Sequence, residues 1–512
     1  MKRLYNIVLV TLLFSVISIY SQNRPYPQQL NFPNCLKPNT TQMLLDYHTY
    51  LFYKDTWKAK FFKESKYTTG GYYVFSEGTG GTNIISVSEA HGYGMIIMAL
   101  MAGDGPYAEP DAKKYFDGMY TFFRNKPSKL CSEFMTWKIT TEENGGDNSA
   151  SDGDLDIAYA LMLAHYQWGS NGAINYMQEA KNIVDSMETR IIKNDRIMLG
   201  DWWNEFSPTT HEWDTRSSDW MTDHFHLFYK ETGSGIWKTL ATNVYTLAST
   251  IASEHSPNTG LMPDFVIESP PKPSPPNSFE GPNDGDFYYN ACRFPLRMAV
   301  DYAHYGTAEA KQACNRIIDW IIDETGGEPY DKIMLGYKLD GTALSTYTDM
   351  AFTCPIIAAA IVGKGSNDKN YQSFLDKGWN AIKGDTEEIE SYSASIRLLS
   401  QLLMSGNWWS PNITPITYEP NTHALQENIK LHAPAQGKSI TVTYSLTQPA
   451  KVHMRIVNLQ GKTILRVLTS KQQAGTYSLT ADLEKPGVGS GIYFINMSLD
   501  ERSVNRQFTI VK

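Results

Sequence analysis

The sequence predicts a toroid of paired α-helices followed by a small all-β sandwich. Three observations carry this. Ten segments between about residues 40 and 411 place apolar residues at helical spacing. A Pro/Thr-rich stretch, Ile413 to His423, then interrupts the pattern. Beyond it the period of the apolar residues switches from helical to two, with turn residues between short runs.

Taken in order, Lys2 and Arg3 lead into an apolar run, Ile7 to Ile19, and then Tyr20-Ser21-Gln22, with a small residue at the cleavage position. Residues 1–21 read as a signal peptide, since the run is too short and wrongly flanked for a membrane span. The mature chain is expected to be exported and soluble from near Gln22. Helical patterns follow at Leu44–Phe62, Tyr107–Arg124, Leu155–Trp168, Ile174–Ile192, Trp237–His255, Tyr289–Tyr305, Ala308–Glu324, Asp349–Val362, Tyr371–Ile382 and Ser391–Met404. Loops rich in Gly, Pro, Asn and Trp separate them. Ten to twelve paired helices in residues 22–411, with the chemistry in the loops, suggest an α/α toroid. No repeat is legible, so the pairing is inferred from the helix count.

Residues 412–424 form the linker. From 425 to 512, Ser439–Ser445, Lys451–Val457, Thr463–Leu468, Thr476–Leu479, Gly491–Met497 and Phe508–Val511 read as strands of a sandwich. This part carries 11 Lys and Arg against 5 Asp and Glu, a net +6, which leaves −15 for the rest of a chain totalling −9. The change of period and of charge sign at one place supports a real boundary. Five cysteines, an odd number without a CxxC, signal neither a zinc site nor a disulfide framework. One bridge is open; buried free thiols are the expectation. Aromatics make up 12% of the chain, with 31 Tyr and 12 Trp, a composition that suits stacking on sugar rings and equally suits a core.

The densest chemistry lies in Ala150–Trp168, ASDGDLDIAYALMLAHYQW. Asp152, Asp154 and Asp156 run into a helical pattern in which Ile157, Leu161, Ala164 and Trp168 share a stripe. Ser151 or Asp152 suits an N-cap, and acidic residues suit a first helical turn. Capping alone would explain such a cluster, and so would a calcium loop, although the helix starts too soon to complete one. A second acidic motif, Ser88-Glu89-Ala90-His91-Gly92-Tyr93-Gly94-Met95, opens a helix expected over Met95–Met101. Glu89 can be a general acid if its loop is dry, or can merely complement the helix dipole. Two acidic clusters, abundant Trp and an export signal point to carbohydrate hydrolysis by a pair of carboxylates.

SEAHGYGM followed by ASDGDLDIAYALMLAHYQW resembles glycoside hydrolase family 8. Further family-like segments are GDWW at Gly200, RSSDWM at Arg216, TGLMPDF at Thr259, YYNACRFPLRMAVDY at Tyr288, GYKLDG at Gly336 and SGNWW at Ser405. The resemblance spans about residues 40–411 and implies an (α/α)6 barrel that cleaves β-1,4-linked glycans with inversion. It implies Glu89 as general acid and Asp152 as the residue that holds the sugar at the cleavage point and steadies developing charge. Many members carry their general base as an Asp where this chain has Asn290, and an amide cannot take a proton from water. A subgroup with chitosanases and mixed-linkage glucanases has Asn there and a Glu on a preceding loop. That loop holds Glu268, Glu280, Asp284 and Asp286, and the resemblance points to Glu280. A base on a Pro-stiffened loop can stand about 6.5–9.5 Å from the acid, leaving room for water. By the same resemblance Trp137 and Trp220 are expected to stack on sugars, or else to be core. Tyr93, Asn290 and Arg293 are expected to contact substrate, Arg293 by orienting the loop or a sugar hydroxyl.

The end of the chain, YSLTQPAKVHMRIVNLQGKTI, AGTYSLTADL and GSGIYFINMSLDERSVNRQFTIVK, resembles the C-terminal sorting domain of type IX secretion substrates. This implies the type IX machinery as a partner and passage across an outer membrane, often with removal of the module. A carbohydrate-binding sandwich fits less well, because the module has no Trp. The expectation is a secreted, endo-acting, monomeric hydrolase without metal or cofactor. The acidic net charge argues against nucleic acid. Chitosan leads as substrate, being polycationic and attracted by an acidic catalytic region. Mixed-linkage glucan and cellulose follow, and a catalytically silent glycan-binding protein is the alternative of another class.

Overall fold

Six helices bury most of their residues, and their sequences show why. In the computed structural model, which describes residues 23–76, 83–203, 211–363, 370–384, 389–411, 430–432, 439–446, 449–458, 462–484, 488–499 and 502–510, these are α2 (Ser88–Met101), α4 (Ser151–Trp168), α6 (Thr222–Thr232), α8 (Phe294–Tyr305), α10 (Met350–Ala359) and α12 (Ser391–Met404). The expected signal peptide 1–21 and linker 412–424 lie outside the described residues. Segments such as Met95–Met101 and Ile356–Ala359 are apolar all round, as helices buried on every side must be. The other six, α1 (Gln42–Leu51, continuing to Phe61), α3 (Ala112–Arg124), α5 (Tyr176–Arg190), α7 (Gly235–Glu254), α9 (Ala308–Thr325) and α11 (Tyr371–Ile382), are one-sided. α9, for example, buries Cys314, Ile317, Ile318, Ile321 and Ile322 at helical spacing and leaves its charges outside.

The inner helices form a closed ring: each packs on the next, and α12 returns to α2. Each of α2 to α10 also packs on the outer helix that follows it, while α1 packs on α12. The chain thus winds outer, inner, outer, inner through an (α/α)6 barrel. An N-terminal strap lies along the barrel, with Tyr26, Leu30, Phe32 and Cys35 buried in its core. Leu30 N–H donates to Gly406 O at 2.7 Å, and Asn407 Oδ1 accepts from the N–H groups of Gln28 and Gln29.

Several sequence expectations shift by a turn or more. α2 starts at Ser88 rather than Met95, so the whole SEAHGYGM motif is helical. α4 has Ala150 at its N-cap, and neither Ser151 nor Asp152 caps it; the Ser151 hydroxyl donates to Met198 O instead. The stripe expected on α4 widens to most of its circumference, because this is a ring helix. α8 begins only at Phe294, after a 3-10 turn at Ala291–Arg293, where Pro295 suits a helix start. All five cysteines are buried, and none of them is in a disulfide.

Beyond the barrel, β1 (Lys430–His432), β2 (Ser439–Leu446) and β5 (Gly475–Asp482) form one sheet in the order β1-β2-β5. β3 (Ala450–Asn458), β4 (Thr463–Gln472), β6 (Gly491–Leu499) and β7 (Arg502–Ile510) form a second, in the order β4-β3-β6-β7. All pairings are antiparallel. Alternate residues Ile440, Val442 and Tyr444, then Val452, Met454 and Ile456, then Tyr493, Ile495 and Met497 fill its own core.

Candidate active site

The N-terminal ends of the inner helices open at one end of the ring, around a cleft of about 560 Å³. Its lining draws on five of them or the residues just before: Glu89 (α2), Asp152 (α4), Asn290 and Arg293 (before α8), Asp349 (N-cap of α10), and Glu390 and Tyr392 (α12). Arg216, Trp137, Tyr289 and Glu280 complete it from loops. Helix N-termini carry partial positive charge, so carboxylates gather there at reduced cost.

Two glycines bring the first two carboxylates together. A Cβ on Gly153 would lie 2.5 Å from Ser88 Cβ and 2.6 Å from its backbone carbon; one on Gly92 would lie 2.6 Å from Asp156 Cβ. Only bare backbone lets the first turns of α2 and α4 approach this closely, and that places Glu89 beside Asp152. Arg293 Nη1 spans the pair, donating to Glu89 Oε2 at 2.7 Å and to Asp152 Oδ2 at 3.0 Å.

The two carboxyls are nonetheless driven apart in acidity. Burial raises Glu89, Arg293 opposes this, and the hydrogen-bonded Asp152 raises it again, to about 8. Burial works against the charge on Asp152 too, but Arg216 and Arg293 outweigh it and hold the group at about 2. At neutral pH the site therefore holds one proton on Glu89 beside an ionised Asp152. A raised carboxyl next to a depressed one separates acid from charge stabiliser.

The other two aspartates of the cluster turn away from the cleft. Asp156 receives both Arg297 nitrogens, at 2.9 and 2.7 Å, and meets His224 Nε2 at 2.8 Å. Asp154 Oδ1 accepts from Met135 N–H at 3.1 Å. They brace α4, and Asp152 alone of the three lines the cleft.

Glu280 stands on the Pro-rich loop with its side chain 58% exposed, open to water. Asp284 shapes this tip: its carboxylate accepts from the N–H groups of Phe279, Glu280 and Gly281 at 2.8 to 3.1 Å. Asn290 Nδ2 donates to Glu280 Oε2 at 2.9 Å, and Arg293 Nη2 donates to Asn290 Oδ1 at 2.9 Å. A continuous path of hydrogen bonds thus joins Glu280 through Asn290 and Arg293 to Glu89. Glu268 lies elsewhere, paired with Lys272 at 2.7 Å.

Two of the expected contact residues do not line the cleft. Trp220 is 1% exposed and packs edge-on against Phe294, with Nε1 donating to Thr215 Oγ1, so it belongs to the core. Tyr93 is buried behind the carboxylates, its hydroxyl accepting from Arg293 Nη1 at 3.2 Å. Arg293 itself orients Glu89, Asp152 and Asn290. Trp137 does line the cleft, and continues into an adjoining 410 Å³ groove with Trp202, Phe265 and Phe279.

The sequence reading assigned no role to Arg216, although its segment was recognised. Arg216 stands 3.6 Å from Asp152 Oδ1, 3.8 Å from Glu280 Oε1, and donates to Asp219 Oδ2 at 3.2 Å. Among the described residues no group of three or more His, Cys, Asp and Glu is arranged to hold a metal ion.

A double ring of helices with paired carboxyls at its mouth defines a glycan-cleaving barrel, and comparison with known proteins agrees. Residues 52–406 match Glycosyl hydrolases family 8, and residues 433–512 match the Secretion system C-terminal sorting domain. An endoglucanase of Bacillus sp. (strain KSM-330) is 38% identical over 443 residues, 85% of this chain and 90% of that protein. A beta-glucanase of Niallia circulans is 37% identical over 397 residues, 76% of this chain and 92% of that one. The apo structure of a beta-1,3-1,4-glucanase from Paenibacillus sp. X4 is similar with a TM-score of 0.70 and 36% identity, covering 76% of this chain and 100% of that chain. The chain belongs to glycoside hydrolase family 8. It is a glycoside hydrolase bearing a C-terminal secretion sorting domain, which favours an enzyme over a silent glycan binder.

Proposed function

We propose that the protein is an exported, endo-acting β-glucanase that hydrolyses β-1,4 linkages with inversion. Glu89 protonates the leaving glycosidic oxygen. Glu280, solvated and lining the same cleft, takes a proton from the water that attacks the anomeric carbon. Asp152, kept ionised, holds the sugar at the cleavage point and steadies the positive charge that develops on the ring. The observation that carries the reading is the pairing of a buried Glu89, whose carboxyl burial pushes up to about 8, with an exposed Glu280 in one cleft. The relatives named as endoglucanase and beta-glucanases support glucan as the substrate. The sorting domain supports delivery across the outer membrane by the type IX machinery, for which the leader expected at residues 1–21 would serve the first crossing.

Chitosan is the second reading. Of the ionisable lining residues five carry carboxyl groups, Glu89, Asp152, Glu280, Asp349 and Glu390, against Arg216 and Arg293. Both arginines already face carboxylates, which leaves Asp349 and Glu390 to attract an ammonium sugar.

The test is reducing-end release from barley β-glucan, carboxymethyl cellulose, chitosan and xylan by wild type, Glu89→Gln and Glu280→Gln, with the product anomer read by NMR. Release from β-glucan as the α-anomer, lost about 10³-fold or more in both variants, is expected. Release from chitosan alone would replace the substrate, and a β-anomer would overturn the mechanism.

A further inference from the structure

We propose that Asp264 is a positioning residue for this reaction: it sets the amide of Asn290 so that Asn290 aims Glu280. The inference rests on the reading of Glu280 as base. Asp264 is buried and does not line the cleft, so it acts through its neighbours. Its Oδ1 accepts from the N–H groups of Tyr288 at 3.0 Å and Ala291 at 2.7 Å, which pins the segment carrying Asn290. Its Oδ2 accepts from Asn290 Nδ2 at 3.3 Å.

An amide can sit either way round, and here its hydrogen-bond partners distinguish the two orientations. Two carboxylates, Asp264 and Glu280, face the nitrogen of Asn290, while Arg293 faces its oxygen. Both N–H groups and the oxygen of the amide have partners, and flipping it would set oxygen against carboxyl oxygen on one side and N–H against guanidinium on the other. The backbone of Asp264 adds to the same arrangement. Its N–H donates to Asp286 O at 2.8 Å, and its carbonyl accepts from Ser217 N–H at 3.1 Å. One residue therefore joins the three segments that carry Arg216, Glu280 and Asn290.

The experiment compares Asp264→Asn, Asn290→Ala and the double variant on soluble β-glucan, measuring kcat, KM and Tm, with Glu280→Gln as control. An amide at 264 keeps an acceptor for the two backbone N–H groups but turns a donor toward Asn290. Asp264→Asn is expected to lower kcat about 10- to 100-fold with KM within about twofold, the scale of a misaimed catalytic group. In the Asn290→Ala background it is expected to cost no further kcat, because the route of action is already gone. Multiplying losses in the double variant, or a kcat for Asp264→Asn within about twofold of wild type, would overturn the proposal. Activity of Glu280→Gln near wild type would instead remove the base assignment beneath it, whatever the cycle gives.

Discussion

Glu89 keeps its proton where most carboxyls have lost theirs, and this has a stability consequence. Unfolded, the group ionises near its ordinary value of 4.5; folded, it does so near 8. Between these values the folded state binds more protons than the unfolded one, so the group's contribution falls as pH rises from about 4.5 to 8. Glu89→Gln mimics the protonated form, and we expect it to be more stable than wild type by about 1–3 kcal/mol near pH 8, converging with it near pH 4.5. Thermal melts across that range check this; an equal Tm at every pH would refute it. Asp152 has the opposite sign, since its depressed value makes its ionised form stabilising above about 4, a contribution lost as pH falls toward 2. At this scale Glu89 and Asp152 stood out as candidates because their motifs carry charge where a helix begins, Glu280 was singled out among four loop carboxylates by the family resemblance, and the structure brings all three to one cleft. Trp220 and Tyr93 were not, because an aromatic residue beside a motif reads the same whether its ring faces the cleft or the core.

Among elements, the contact between α2 and α4 is the one the site depends on most. Gly153→Ala sets a methyl against the backbone of Ser88, which cannot move aside as a flexible side-chain end would. We expect about 1–3 kcal/mol of destabilisation and a loss of kcat, because the two first turns separate and Arg293 can no longer span both carboxylates. Retained activity with a lowered Tm would show that the close approach serves packing alone. The tip of the Glu280 loop is a different case, held by one carboxylate accepting three backbone N–H groups. Asp284→Ala is expected to cut kcat about 100-fold while Tm changes by only a few degrees, since the loop lies outside the ring. The helix periods were readable because the outer helices are amphipathic. The start of α2 was hidden by Gly92 and Gly94, which read as loop residues and in fact permit close packing. α6 is short, and its polar Thr222, Asp223 and His224 are buried against Asp301, His304 and Asp156, so its apolar stripe is broken.

For the whole molecule, the barrel and the sandwich each have their own hydrophobic cluster. A chain ending at residue 411 is expected to keep kcat and KM on soluble glucan within about twofold of the full chain, and a larger loss would assign the sandwich a part in hydrolysis. The change of hydrophobic period and of charge sign made that division legible, whereas closure of the ring was not, because nothing in a helix pattern says that the last inner helix meets the first. The strap that runs from Asn23 and the segment after α12 lie side by side: Leu30 meets Gly406, and the Arg24 guanidinium sits 5.3 Å from the centre of the Trp409 ring.

The barrel therefore has a seam rather than a beginning. Joining the two sides of that seam with a short flexible peptide and opening the chain instead at the exposed Asn171–Ala173 turn would give a circular permutant with the same twelve helices in a rotated order. Such a permutant is expected to fold and to hydrolyse glucan. Glu89 would then follow Glu280 along the chain and still face the same cleft.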